Sequence, residues 1–470
     1  MKENHHLHKS SKKSTSKQEV EEHISEECVV SQCMICKNNN PFDVPQEIIE
    51  AAQTGKLIIF AGAGISTESN TVFPSSFYQN VREILKIPKN QKISFSKLMS
   101  LYCSHPRTRK DLLLEIKERI DYVKAFPELY DRATKFHREI STIPHIHEIF
   151  TTNWDDFFEK ECDATPVVTG EDYAIFQDIP GRKVFKIHGS IYNYGSIIAT
   201  EQDYKKCYQK LSTGIIGAKL KTHLLSKTMV FIGFSFEDED FQKIYRLLLK
   251  DVHGIIPRSY VITLDNKAEE KLRSSKINAI PIITDGTFFI QELKKHLVID
   301  KQVLPDEKFE GVFEMLTKVS VEHHKLSRLG IRKHPDFIYS LAYQDGLQHA
   351  FQHILSNKHS GNYSDPHKVL HTIESYEFLI KQFLRVGNYP DVAYFTGYQT
   401  GQLYFLLDNK KRKSLQMYFL FGREDIPSFK HFLKLEKNAA KYHKAAHKLA
   451  VKMASTAQSD DVVFHRSPFL

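Results

Sequence analysis

Apolar and polar positions along the chain fall into two regimes. Between residues 57 and 283, short apolar runs at 57–61, 148–152, 183–187, 228–233, 259–264 and 280–283 alternate with stretches whose apolar residues recur every three or four positions. Runs this short, rich in β-branched and aromatic residues, read as buried strands of a parallel sheet, and the periodic stretches read as helices covering both faces. About 85 residues separate the first two runs, and within them Leu112, Ile116 and Ile120, then Leu129, Ala133, Phe136 and Ile140, keep helical spacing. That spacing predicts a helical insertion over about 75–145 lying across the carboxyl edge of the sheet, where open sheets receive ligands. Beyond about 300 the strand signals fade. Amphipathic stretches at 306–328, 334–357, 367–385 and 427–453 predict a mainly α-helical C-terminal domain over 301–470. The α/β domain takes 41–300, opening with a short helix after Pro45, and residues 1–40 read as a flexible polar tail. No repeat of fixed period is visible.

Composition narrows this picture little. A chain of 470 residues, 41% hydrophobic, can bury one large core or two or three domains. No run approaches the length of a membrane helix, and the first 25 residues are unlike a signal peptide, so the expected location is cytoplasmic, without membrane contact. The net charge of +8 permits an acidic partner without arguing for one. Lys430, Lys434, Lys437, Lys441, Lys444 and Lys448 read as a solvated helix face, so direct nucleic-acid binding is not expected. Six cysteines form no disulfide framework. Cys33-Met-Ile-Cys36, with Cys28 nearby, has zinc-knuckle spacing but lacks a second pair; although His5, His6 and His8 offer ligands, free thiols are the expectation.

Candidate chemistry collects where the apolar runs end. The first run passes from Ala61 into Gly62-Ala63-Gly64-Ile65-Ser66, a turn whose backbone N–H groups can approach a phosphate without side chains in the way. It lacks a third glycine and a following Lys-Ser/Thr, so a plain strand-to-helix turn reads equally well. The second run passes through Thr151 and Thr152 into Asn153-Trp154-Asp155-Asp156, an amide and two carboxylates that can serve chemistry or simply cap the next helix. The third ends at His188-Gly189, placing a side chain suited to proton transfer at a strand end. The fourth ends at Gly233, with Ser235 and Asp238 close behind. Asp238 can contact a ribose or cap a helix. Several polar, glycine-bearing strand ends converging in one sheet are far less probable by chance than any single turn.

The order of these motifs, G-A-G-I-S-T-E-S from Gly62 to Ser69, T-x-N-x-D at Thr151, Asn153 and Asp155, H-G at His188, and G-x-S at Gly233 and Ser235, resembles the sirtuin family over residues 45–300. The resemblance implies a Rossmann-like sheet that binds NAD and opens its nicotinamide–ribose bond. It places Ala61, Gly62, Ala63, Gly64, Ile65, Ser66, Thr152, Asp155, Gly233 and Ser235 around the dinucleotide. Gly62, Ala63, Gly64 and Ser66 would hold the diphosphate, Asn153 the reacting ribose and a water, and Asp155 would organise them, with His188 as general base. Deacylating sirtuins carry two cysteine pairs for zinc after the H-G motif; here only Cys207 follows His188, and Pro74 leads to Ser75-Ser76-Phe77-Tyr78 in place of D-F-R. These departures resemble the sirtuin-like domains of bacterial anti-phage defence proteins. They imply an NAD hydrolase that yields nicotinamide and ADP-ribose after activation, with NAD as substrate and no metal. Self-assembly, or a hexameric ATPase translocase or other defence-operon partner, is implied as well; the C-terminal region is helical and short for the β-rich module that accompanies short Argonautes. The alternatives are an NAD-dependent deacylase and a non-catalytic NAD or ADP-ribose sensor.

Overall fold

Leu57-Ile-Ile-Phe-Ala61 is apolar at every position and buried at every position, which demands cover on both faces of the strand it forms. In the computed structural model, which describes residues 38–104, 106–234, 242–246, 259–407, 415–459 and 463–466, this strand is the middle of a seven-stranded sheet. The strands are β1 (Leu57–Ala61), β2 (Glu148–Thr151), β3 (Thr165–Val167), β4 (Lys183–Lys186), β5 (Thr228–Ile232), β6 (Ser259–Thr263) and β7 (Ala279–Ile283). Their order is β3-β4-β2-β1-β5-β6-β7, with every neighbouring pair parallel. Side chains alternate between two cores: Leu57, Ile59 and Ala61 join one, Ile58 and Phe60 the other.

The first face is covered by α1 (Gln46–Gln53), by α5 (Pro127–Ser141), the last helix of the insertion, by α6 (Phe157–Cys162) and by α11 (Gly286–Ile299). The second is covered by α8 (Glu201–Thr213), α9 (Ile215–Ser226) and α10 (Ala268–Ser274); a short α7 (Gly170–Phe176) follows β3. The expected insertion consists of α2 (Phe77–Ile84), α3 (Phe95–Tyr102), α4 (Arg109–Ala125) and α5. Phe77, Val81, Leu98, Met99, Leu112 and Ile116 of this insertion pack with Ile191, Ile197 and Ala199, which follow β4, and with Trp154, which follows β2. The insertion therefore sits over the carboxyl ends of β2 and β4. Arg109 of α4 ties it there, reaching Asp203 at 2.5 Å and the Ile197 carbonyl at 2.8 Å.

From α12 (Glu307–Leu329) onward the chain is helical: α13 (Phe337–Ser356), α14 (Pro366–Arg385), α15 (Tyr389–Leu406), α16 (Phe429–Glu436), α17 (Ala439–Tyr442) and α18 (Lys444–Thr456). Their apolar core begins at Phe309, whereas the cores flanking the sheet end at Val303. The stretch read as one amphipathic segment over 427–453 is three helices, interrupted around Asn438 and His443. The tail cysteines Cys28, Cys33 and Cys36, with His5, His6 and His8, and also Ser235 and Asp238, lie outside the described residues. Among the described residues no helix is long and apolar enough to cross a membrane.

Candidate active site

The order of strands reverses between β1 and β5: the chain leaves β1 toward β2 and later returns to the other side of β1 as β5. Ligands of open α/β sheets bind at the carboxyl ends of strands at such a point. The Gly62–Ser66 turn lies there, pressed onto Gly233. The Gly62 N–H donates to the Ile232 carbonyl at 2.8 Å and the Gly64 N–H to the Gly233 carbonyl at 3.0 Å. A Cβ on Gly62 would stand 2.6 Å from the Gly233 oxygen, and Gly233, at φ +77°, would bring its own Cβ to 2.8 Å from the Gly62 oxygen. These glycines are therefore required by backbone packing between strand ends, and the N–H groups of Gly62 and Gly64 are already used. The Ala63 N–H makes no hydrogen bond among the described residues. Ile65 is buried, its Cγ2 2.8 Å from where a Cβ of Gly233 would lie.

A buried chain of hydrogen bonds joins the β1 turn to the end of β2. Asp155 Oδ2 accepts the Ser66 hydroxyl at 2.9 Å, and Ser66 Oγ accepts Asn153 Nδ2 at 3.2 Å. A carboxylate only accepts, so the serine must spend its proton on Asp155 and receive the amide N–H. That fixes the amide with Oδ1 outward, and Asn153 Oδ1 is buried without a partner. The Thr151 hydroxyl braces the turn, donating to the Ala61 carbonyl at 2.9 Å and accepting the Asn153 N–H at 3.0 Å; the Thr152 N–H donates to the same carbonyl at 3.2 Å. Asp155 Oδ1 also accepts the Phe157 N–H at 3.3 Å, so the carboxylate serves the first turn of α6 as well as Ser66. Burial raises the Asp155 pKa, opposed by the Lys186 charge and by the Ser66 hydrogen bond.

Lys186, at the end of β4, is fully buried, its Nζ on the Asp155 carbonyl and 2.9 Å from Glu159 Oε1. Burial raises the Glu159 pKa, with Lys186 opposing. Neither Lys186 nor Glu159 stood out in the sequence, although a lysine inside the apolar run Val184-Phe-Lys-Ile187 was a signal available there. Asp156 has another role: it meets Lys124 of α4 at 2.6 Å, Lys160 at 3.1 Å and the Tyr192 hydroxyl at 2.5 Å, and these partners hold its carboxyl down to about 2 against the pull of burial.

Thr151 and Lys186 are register partners on neighbouring strands, so Asn153 and His188, each two residues further on, leave the sheet side by side. His188 is 5% exposed, its ring edge-on to Tyr204 at 5.1 Å, and Nε2 has no partner. Burial alone pushes its pKa down to about 4, leaving a neutral imidazole near pH 7. Gly189 lets the chain fold back at φ +85°, where a Cβ would lie 2.2 Å from the Ser196 carbonyl oxygen. The indole Nε1 of Trp154 is likewise buried and unpaired. A cleft of about 360 Å³ between α2 and α4, lined by Phe73, Phe77, Val81, Glu115, Arg119 and Tyr122, includes neither Asn153 nor His188. It borders the turn through Arg119, which pairs with Glu68 at 3.1 Å and donates to the Thr67 and Ser75 carbonyls.

Residues 147–282, from the start of β2 to β7, match the SIR2-like domain family. Over these residues the chain is similar to SIR2-like domains. It is 27% identical over 212 residues to the NAD(+) hydrolase ThsA of Enterococcus faecium, covering 44% of this chain and 42% of that protein. To the NAD(+) hydrolase ThsA of Bacillus cereus (strain MSX-D12) it is 25% identical over 212 residues, covering 43% and 41%. To the defense-associated sirtuin 2 of Bacillus subtilis it is 24% identical over 215 residues, covering 43% and 20%. The chain thus spans less than half the length of these relatives. Cys207, the one cysteine after His188, is buried in α8, and among the described residues no group of three or more His, Cys, Asp and Glu side chains is placed to hold a metal.

Proposed function

We propose that this protein is an NAD+ hydrolase that releases nicotinamide and ADP-ribose, and that it acts in anti-phage defence by depleting NAD+ once activated. The observation that carries the reading is the pair of buried polar atoms without a hydrogen-bond partner, Asn153 Oδ1 and His188 Nε2, on adjacent strand ends beside the glycine turn. Buried polar groups are rarely left unpaired, and two in one place mark where a ligand's polar groups belong. Relatives named NAD(+) hydrolase ThsA support the choice of ligand.

Nicotinamide leaves as a neutral base from a cationic ribosyl compound, so its departure needs no strong acid, and the ribosyl carbon passes through an oxocarbenium-like state. The protein's task is to fix the ribose, exclude bulk water and hold one water at the exposed carbon. Asn153 Oδ1, locked outward by Ser66 and Asp155, accepts from a ribose hydroxyl or from that water. Neutral His188 takes the water's proton as the carbon–oxygen bond forms, giving ADP-ribose and one proton. The Ala63 N–H, which makes no hydrogen bond among the described residues, is the donor left for the diphosphate at the β1–β5 switch point, while Ser66 serves Asn153 and Asp155.

The test is nicotinamide release from NAD+ by the purified protein, alone and with the products of neighbouring genes, followed by chromatography. His188→Ala and Asn153→Ala should each lower the rate by about 10² to 10⁴ while leaving the melting temperature near that of the parent protein. Undiminished release by His188→Ala, or tight NAD+ binding without release under any of these conditions, would overturn the proposal.

A further inference from the structure

Residues 430–452 hold seven lysines, Lys430, Lys434, Lys437, Lys441, Lys444, Lys448 and Lys452, against one glutamate, in a chain whose whole excess is +8. All seven are exposed, and among the described residues none of their ammonium groups meets a carboxylate. Exposed lysines elsewhere are of both kinds: Lys117, Lys295, Lys325 and Lys381 have local acidic partners, whereas Lys86, Lys89, Lys92 and Lys97 have none among the described residues. What sets 430–452 apart is density, seven lysines of one sign where a solvated helix face interleaves both signs.

The acidic groups inside this region are occupied from within. Glu436 is buried and bonded to His334 at 3.0 Å, and Asp336 is buried and bonded to His447 at 2.5 Å. Lys444, Lys448 and Lys452 recur every four residues along α18, about 6 Å apart along its axis, opposite the buried stripe Ala446, Ala450 and Ala454. Arg423, stacked on Tyr442 at 5.0 Å, and Arg332, bonded to the Ala457 carbonyl at 3.0 Å, extend the basic surface at its margins. In sequence, Glu424 and Asp425 precede α16 and Asp460 and Asp461 follow α18.

We infer that α16–α18 form a docking surface for the phosphate backbone of duplex DNA, bound without regard to base sequence. A row of fixed cations with no internal counter-charge complements a polyanion, and releasing the polyanion's counterions supplies the affinity. The duplex is favoured over a single strand because the aromatic rings of this surface are packed rather than presented: Phe432 is buried, Phe429 is half-buried against the helical core, and Tyr442 lies under Arg423. It is favoured over a membrane surface because the apolar side of α18 is alanine already turned into the protein.

Fluorescence polarisation with two 20-base-pair duplexes of unrelated sequence, titrated with the full chain between about 50 and 200 mM salt, tests this. Both duplexes should bind alike. The joint Lys444→Gln, Lys448→Gln and Lys452→Gln variant should flatten the slope of log affinity against log salt by about 2 to 3, near 0.9 per lost contact. The corresponding triple Lys→Arg variant should keep the slope. The inference fails if no duplex binds at the lowest salt, if the glutamine variant binds with an unchanged slope, or if vesicles containing phosphatidylserine are bound and duplexes are not.

Discussion

At the scale of single residues, the centre of the site depends on buried charge balanced by few partners. Lys186 is buried against the Asp155 carbonyl and Glu159, and removing it strands two buried carboxylates. Lys186→Met should cost about 3–5 kcal/mol in urea unfolding, and the double variant with Glu159→Met should recover part of the loss, since an intact apolar replacement avoids the unpaired charge. Two histidines set an acid limit. Burial holds His188 at about 4 and His137, which makes no ring hydrogen bond among Phe136, Phe157 and Phe158, at about 3, against an ordinary 6.5. The unfolded chain therefore takes up these protons first, so stability is full above about pH 6.5 and declines as pH falls toward 4. His137→Leu should make the fall of melting temperature across that window shallower, and an unchanged profile would contradict the assignment. Motif position was enough to single out Asn153 and His188, because polar residues at the ends of apolar runs stand out. The roles of Lys186 and Glu159 depend on which strands become neighbours, and that pairing is not written in either segment.

At the scale of elements, central strands were legible because burial on both faces leaves an unbroken apolar run, as in Thr228–Ile232, where all five residues are buried. β3 was not. It has three residues, one of them Pro166, which lacks a ladder donor and is confined to the edge, and its signal is too short to rise above loop. α15 escaped for the opposite reason: it is buried around most of its circumference, including Val392, Tyr394, Tyr398 and Tyr404, so it lacks the one-sided pattern that marks a helix. The glycine turn was recognised, but for a different physical reason from the one the structure supplies, since Gly62 and Gly233 are needed by each other before any ligand arrives. Gly233→Ala combines a left-handed backbone with contact at 2.8 Å and should cost about 2 kcal/mol or more in chemical denaturation. Arg182 does comparable work at the end of α5. It is buried, and its guanidinium donates to the carbonyls of Ile140, Ile143, Ile146 and Cys162; Arg182→Met should loosen the α5–β2 connection and lower the melting temperature by several degrees.

At the scale of the whole molecule, no buried apolar cluster among the described residues mixes side chains from before and after 304–308. What crosses includes the Leu304 N–H to the Ser364 carbonyl at 2.8 Å, Lys294 to Asp306 at 2.5 Å, Gly361 against Ser141 and Pro144, and His145 beside Asp365 and Lys368. Two cores joined in this way should melt as two units. Calorimetry should show two transitions, and NAD+ should raise only the one belonging to the sheet, because a ligand stabilises the unit that binds it; a single transition would refute this division. The buried imidazole of His188 has a consequence for control. In the role proposed for it, His188 stays neutral down to about pH 4, so mild acidification does not silence it by changing its charge. On that proposal restraint comes from denying the dinucleotide entry or from shifting the strand ends out of line, and inhibitors of the resting protein should be sought among molecules that wedge the insertion against the sheet.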